Sequence, residues 1–391
     1  MTQNEIIKLT DKFVIQSYKR NPIAFVKGSG TKVWDASGKM YLDFFSGLAV
    51  NNLGHCHKNI VKAIKDQTEK LMHTSNLFYT IPQAILAKKL IKLSFEGKVF
   101  FCNSGAEANE AAIKLCRKWG NPKRNEIITM KESFHGRTLT TITATGQTKY
   151  QKGFNPLTKG FKYAIFNDLS DVKKKITDRT VGIMIEPIQG EGGVNPATRS
   201  FLKELRALCN KKKIILIFDE VQTGIGRTGK MFAFQHYGIK PDVLTLAKAL
   251  GGGLPIGVMI ASKKFADVLE PGTHASTFGG NAVVCAAACA VLETIKNEKL
   301  LIKSVSAAKY LVQKLNQLKK SYPVIKEVRG KGLMIGVQLN EPGAPIVKKC
   351  LDKGLIINCT QEKVIRLLPP LIVSTKEIDI ALKIFKGALA K

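Results

Sequence analysis

Seven short apolar runs, at residues 98–102, 126–130, 162–166, 181–186, 214–219, 242–246 and 256–261, constrain the fold of this chain more than any other feature. Each is nearly continuous in hydrophobic side chains, and several are separated by stretches with helical amphipathic spacing. A strand that is apolar on both faces must be covered on both faces. The pattern therefore predicts an α/β protein whose central sheet is seven-stranded, mostly parallel and flanked by helices. The 391 residues are enough for a large core and more than one domain. We expect a large domain over residues 50–285. Residues 286–391, together with the N-terminal segment 1–49, should form a smaller α+β domain. In that smaller part the sequence predicts a hairpin within 31–45 around Ala36–Lys39 and a long helical stretch from Asn281 to about Lys320. It also predicts strands in EVRGKGLMIGVQL and VIRLLPPLI, and a last helix opened by the S-x-x-E cap of Ser374 and Glu377.

The sheet tells where to look for chemistry, because ligands of such sheets bind beyond the carboxyl ends of the strands. Glu186, Asp219 and Lys248 all fall at or just past those ends. An ammonium ion at the end of a buried strand is costly unless it is paired, neutralised or used covalently. A Schiff base to an aldehyde cofactor is such a use, and the cofactor it implies is pyridoxal phosphate. The ring nitrogen of that cofactor must stay protonated, a role that suits the buried carboxylate of Asp219. The phosphate needs a cradle of N–H groups. The run Lys98–Cys102 leads straight into Ser104, Gly105, Ala106 and Glu107, a capped helix start where Ala108, Ala112, Leu115 and Trp119 share one face. Gly105 removes the side chain where a ligand would touch the backbone.

Six motifs carry a wider resemblance: SGAEANE from Ser104, SFHGRT from Ser133, EPIQGEGG from Glu186, FDEVQTGIGRTG from Phe218, LAKALGGG from Leu246 and STFGGN from Ser276. In this order, and across most of residues 20–370, the chain resembles the class III pyridoxal-phosphate aminotransferases. The resemblance implies an aspartate-aminotransferase-like fold (fold type I) and a homodimer with shared active sites. It gives Lys248 the covalent link to the cofactor and the proton transfer, and Asp219 the ring nitrogen. Phe134 would stack on one ring face, Val221 would pack under the other, and Gln222 would bond the phenolic oxygen. Gly105 and Ala106 would hold the phosphate, joined by Thr277 from the second subunit, with Ser276 beside the substrate and His135 in support. Arg137 and Arg366 are the carboxylate candidates, since a planar guanidinium grips a carboxylate through two parallel hydrogen bonds. Arg366 resembles the arginine that takes the α-carboxylate of 2-oxoglutarate, and Glu191 the glutamate that masks it while an ω-amine is bound.

Within the class the chain is most similar to the acetylornithine branch. Ornithine-using relatives usually place a tyrosine where Leu48 stands, and a leucine cannot bond a free α-amino group. Leaving that ammonium unpaired costs on the order of 1–3 kcal/mol, which favours an N-acylated donor. The expected reaction moves the δ-amino group of N2-acetyl-L-ornithine to 2-oxoglutarate, in arginine biosynthesis. Ornithine, succinyldiaminopimelate or 4-aminobutyrate transamination, and a glutamate-1-semialdehyde-type aminomutase, are the alternatives.

Composition excludes several other classes. No apolar run is long enough to span a membrane, and the N-terminus lacks the charged-then-apolar pattern of a secretion signal. The eight cysteines are scattered without a C-x-x-C pair, so we expect a reducing cytoplasm and no disulfide framework. His55-Cys56-His57 has no matching ligand pair, and no metal is expected. Gly224–Gly229 spells G-x-G-x-x-G but opens no helix directly after its strand, which argues against a nicotinamide site. The net charge of +31 comes from lysines dispersed along the whole chain. With no basic run interleaved with aromatics, it reads as a solvated surface that attracts dicarboxylates rather than a specific nucleic-acid interface.

Overall fold

The structure, a computed structural model, describes residues 1–390. Its centre is a seven-stranded sheet of β1 (Gly97–Cys102), β2 (Glu126–Met130), β3 (Phe161–Ala164), β4 (Thr180–Ile185), β5 (Ile215–Asp219), β6 (Val243–Leu246) and β7 (Gly257–Ser262). Their order across the sheet is β1-β7-β6-β5-β4-β2-β3. All run parallel except β7, which is antiparallel to both of its neighbours. Every residue of β4, β5 and β6 is buried, as strands covered on both faces must be. The main core spreads over one face of the sheet, and a second cluster around Ile113, Ile127, Val181 and Ile217 fills the other.

Every strand of this sheet lies within about two residues of its expected position. The helix Gly105–Gly120 follows β1, with the Ser104 hydroxyl accepting a hydrogen bond from the Glu107 N–H at 3.2 Å. Trp119 does not belong to its buried face. It is 46 % exposed, with its ring edge on Phe265, because the buried stripe swings round to Ala111, Leu115 and Cys116.

The rest of the chain forms three smaller sheets. The expected hairpin is Lys32–Asp35 with Met40–Asp43. It gains two strands that sequence pattern did not show, Phe25–Ser29 on one edge and Leu355–Ile356, which pairs parallel with Met40–Asp43. Both are short, and Leu355–Ile356 is too brief to carry a period. A second sheet joins Ile325–Lys331, Met334–Leu339, Val364–Leu367 and Asn358–Thr360. The third is a pair, Ile188–Gln189 with Asn195–Pro196, in the loop that carries Glu191. The expected long helix is two, Ala282–Asn297 and Leu300–Ser321, broken where Lys299 takes a left-handed φ of 53°. Thr375–Leu389 ends the chain, with the expected reciprocal cap between Ser374 and Glu377.

Arg227 ties these regions together. Fully buried, it donates to the carbonyls of Leu333 at 3.0 Å and Pro369 at 2.6 Å, and to the side chain of Asn52. Asn52 in turn donates to the Ile225 carbonyl at 2.9 Å. The GIGRTG loop is thus a structural junction. It makes tight turns rather than opening a helix.

Candidate active site

A cavity of about 640 Å³ opens at the carboxyl ends of the parallel strands. It brings together Gly105, Ala106, Phe134, Arg137, Glu191, Asp219, Val221, Gln222 and Lys248 of the expected residues. Adjacent strands β4, β5 and β6 supply Glu186, Asp219 and Lys248 respectively, each at its strand's end or up to two residues past it. Lys248 opens a short 3₁₀ turn, Lys248–Gly251, with a φ of 47°. A side-chain-bearing residue in that region is strained and persists only where its surroundings impose it.

The lysine amine forms no hydrogen bond or ion pair among the described residues. Burial draws its ammonium below the ordinary lysine value; Glu191 opposes this and Arg366 reinforces it. Asp219 is fixed from several sides. Its Oδ2 accepts from Asn109 Nδ2 at 2.7 Å and stands 2.8 Å from His135 Nδ1, and its Oδ1 accepts from the Val221 N–H at 3.0 Å. The far ring nitrogen of His135, Nε2, is buried without a partner. Asn109 is fully used as well, donating to the His135 carbonyl at 2.8 Å and accepting from the Thr245 hydroxyl at 2.7 Å.

The N–H groups of Gly105 and Ala106 have no acceptor within their helix and open onto the cavity. A Cβ on Gly105 would stand 2.7 Å from Val221, so only glycine lets the helix start approach this closely. On the far side Phe134 donates its N–H to Glu186 Oε2 at 3.1 Å, and Gly190 donates to Glu186 Oε1 at 3.3 Å. Burial raises the Glu186 carboxyl well above the usual range, with the charge of Asp219 adding to the effect.

Arg366 is wholly buried and reaches the cavity through its partners. Its Nη1 lies 2.7 Å from Glu191 Oε1 and 3.2 Å from Gln222 Oε1, its Nε donates to Asn358 at 3.2 Å, and its Nη2 has no partner. Burial pushes the Glu191 carboxyl up, yet the charges of Arg366 and Lys248 outweigh it and hold the group below the ordinary carboxylate value.

Two expected residues lie elsewhere. Thr277 lines a separate cleft with His73, Asn76, Phe78 and Gln83, and Ser276 Oγ accepts from Asn103 Nδ2 at 3.2 Å. Leu48 is 36 % exposed, and Val50 is the residue of that segment that lines the cavity. Sequence reading passed over Asn109, Glu186 as a partner of Phe134, Tyr18 at the cavity wall, and Tyr150 behind Phe134. A signal existed for Asn109, a polar residue on an otherwise apolar helix face. None marked Tyr150, which reaches the site from a separate four-residue turn, Thr148–Gln151.

Free helix N–H groups, the unpaired amine of a half-buried lysine and a firmly held carboxylate around one cavity fit pyridoxal phosphate. Together with the sheet order they define a fold-type I enzyme of that cofactor. The sequence signature of the family described as Aminotransferase class-III matches residues 14–389, and the chain belongs to that family of pyridoxal-phosphate-dependent aminotransferases. It is 55 % identical over 383 residues to the acetylornithine aminotransferase of Methanocaldococcus jannaschii, covering 97 % of this chain and 96 % of that protein. The crystal structure of ornithine aminotransferase from Toxoplasma gondii superposes with a TM-score of 0.95 at 32 % identity, covering 100 % of this chain and 95 % of that one. Acetylornithine aminotransferase from Elizabethkingia anophelis superposes with a TM-score of 0.89 at 33 % identity, covering 100 % and 99 %.

Proposed function

We propose that the chain transfers the δ-amino group of N2-acetyl-L-ornithine to 2-oxoglutarate, giving N-acetyl-L-glutamate 5-semialdehyde and L-glutamate, as a step of arginine biosynthesis. The observation that carries this reading is the pair of half-buried Glu191 with buried Arg366 at 2.7 Å, beside Lys248. An ω-amine donor has no carboxylate next to its reacting carbon, so a bare guanidinium there would be left unpaired, and Glu191 neutralises it. When the keto acid enters, its α-carboxylate takes Glu191's place on Arg366. The acetylornithine aminotransferases among the relatives support the N-acylated donor.

The residues divide the work as follows. Gly105 and Ala106 hold the phosphate by backbone N–H groups, and Phe134 and Val221 enclose the ring. Asp219, oriented by Asn109 and His135, holds a proton on the ring nitrogen. Lys248 would hold the cofactor through its side-chain amine and would move the proton at the substrate's reacting carbon. Burial lowers its basicity, the direction that suits a proton carrier. When bound, pyridoxal phosphate supplies an aldehyde to receive the amine and an electron-withdrawing ring. Arg137 takes the carboxylate remote from the reacting carbon, both in acetylornithine and in 2-oxoglutarate.

The working unit is a homodimer. Met72, Leu77, Phe78, Tyr79 and Phe278 are all more than 60 % exposed; Phe78 lines the cleft that holds Thr277 and the others are chain neighbours of its lining residues, the kind of apolar patch that marks an interface. Across it Thr277 would reach the phosphate in the partner's cavity. A cytoplasmic location is in keeping with eight free cysteines. The division into a large domain of residues 50–285 and a small one of 286–391 with 1–49 is also part of this reading.

A single-turnover panel of N2-acetyl-L-ornithine, L-ornithine, succinyldiaminopimelate and 4-aminobutyrate against the purified holoenzyme tests the substrate. The acetylated donor should bleach the cofactor band fastest. Faster bleaching by free ornithine would overturn the assignment.

A further inference from the structure

Arg137 lines the cavity, is exposed, and has no carboxylate partner among the described ion pairs, yet it is not loose. Its guanidinium lies over the ring of Tyr150, 4.2 Å from the centroid, and 5.5 Å from that of Phe134. Tyr150 itself meets Phe134 edge-on, with centroids 5.6 Å apart and planes at 86°. The short turn that carries it is pinned from behind. The Tyr150 N–H donates to the Gln147 carbonyl at 3.1 Å, and Gln151 Nε2 donates to the Thr145 carbonyl at 2.9 Å. Tyr150 does not line the cavity.

We propose that Tyr150 is a specificity-determining positioning residue, whose ring is the shelf that aims Arg137 at the remote carboxylate of both substrates. An ion pair would consume the in-plane N–H fork of a guanidinium, whereas stacking uses only its face. The fork therefore stays free for a carboxylate while the long side chain is already ordered, which lowers the entropic cost of binding. The edge contact to Phe134 ties the same shelf to the ring that encloses the cofactor, fixing the distance between the two subsites. This inference rests on the role given above to Arg137.

The test compares holoenzyme variants on substrates with and without the remote carboxylate. N2-acetyl-L-ornithine and 2-oxoglutarate carry it, while N-acetylputrescine and pyruvate do not. Tyr150→Leu should raise KM for the first pair about fivefold to tenfold, change kcat by less than about twofold, and leave KM for the second pair within the same small margin. Tyr150→Phe should restore the native KM, since the ring and not the hydroxyl forms the shelf. Tyr150→Met, closer in volume, gives the same readout should the leucine variant fail to fold. An equal rise for both substrate pairs, or no rise in the leucine and methionine variants, overturns the proposal, as does a phenylalanine variant as impaired as leucine. Arg137→Gln separates the two levels. If it too spares the first pair, the carboxylate reading of Arg137 falls; if it impairs that pair while Tyr150→Leu does not, only the shelf falls.

Discussion

Lys248 and Asp219 illustrate two ways of placing a charge where water is scarce. Asp219 is surrounded by donors, each of its oxygens is engaged, and it sits rigidly at the end of β5. Lys248 receives no such support, and its amine is left unpaired on a strained backbone position. The first arrangement suits a group that must keep one charge state, the second a group that must form and break bonds. Replacing Lys248 with alanine should remove the proton carrier and lower single-turnover rates by a factor of about 10² to 10⁴ or more. Borohydride treatment of the native holoenzyme followed by peptide mapping should mark Lys248, and the variant should show no mark. Labelling of another amine, or native turnover in the variant, would refute the assignment. Both residues were legible in the sequence because strand ends are legible and a charged residue there demands a use. Two of their helpers were harder to see, since Asn109 and Thr245 converge from different elements.

At the scale of elements, a carboxylate next to the site does quite different work. Glu220, one residue past β5, turns away from the cavity and accepts the N–H groups of Ala233 at 2.5 Å and Phe234 at 2.7 Å, fastening the 3₁₀ turn Ala233–His236. Burial pushes its carboxyl from the ordinary 4.5 up to about 8. A raised value means that the folded state holds the proton more tightly than the unfolded chain does. The stabilisation is complete below about pH 4.5 and is lost as pH rises through about 8. Glu186, raised by the same cause, contributes with the same sign. His236 works the other way, since burial holds its imidazole down from 6.5 to about 4 and its contribution rises with pH; Glu220→Gln should therefore shift the pH profile of the urea midpoint upward at its alkaline end relative to the native protein, by at most a few kcal/mol at about 1.4 kcal/mol per pK unit. Profiles that remain parallel from about pH 5 to 9 would show that Glu220 is not the group responsible. Elements with an unbroken apolar run or a clear cap, such as β4, β5 and the helix opened by Ser374, were readable from sequence. The strand Leu355–Ile356 was not, because its existence depends on a partner more than three hundred residues away.

For the molecule as a whole, the surface around Tyr79 and Phe278 decides whether a single chain can work alone. Tyr79 is fully exposed, and an aspartate in its place would bring a charge into the proposed subunit contact. Tyr79→Asp should sediment as a monomer and lose pyridoxal phosphate on dialysis more readily than the native protein. A variant that remains dimeric with native cofactor retention would move the interface elsewhere. Dimerisation was suggested only by resemblance, since nothing in the periodicity of residues 71–81 distinguishes a subunit contact from an ordinary surface loop.

The parallel pairing of Met40–Asp43 with Leu355–Ile356 sets a timetable for synthesis. Leu42 donates its N–H to the Gly354 carbonyl, Phe44 donates to that of Ile356, and Leu368 donates back to Phe44. The hairpin of a nascent polypeptide therefore has an open flank until residues 354–356, more than three hundred positions later, have been translated. By then the central sheet has already left the ribosome, so a late segment closes over an early one, and a chain stalled before residue 354 exposes an unpaired strand edge.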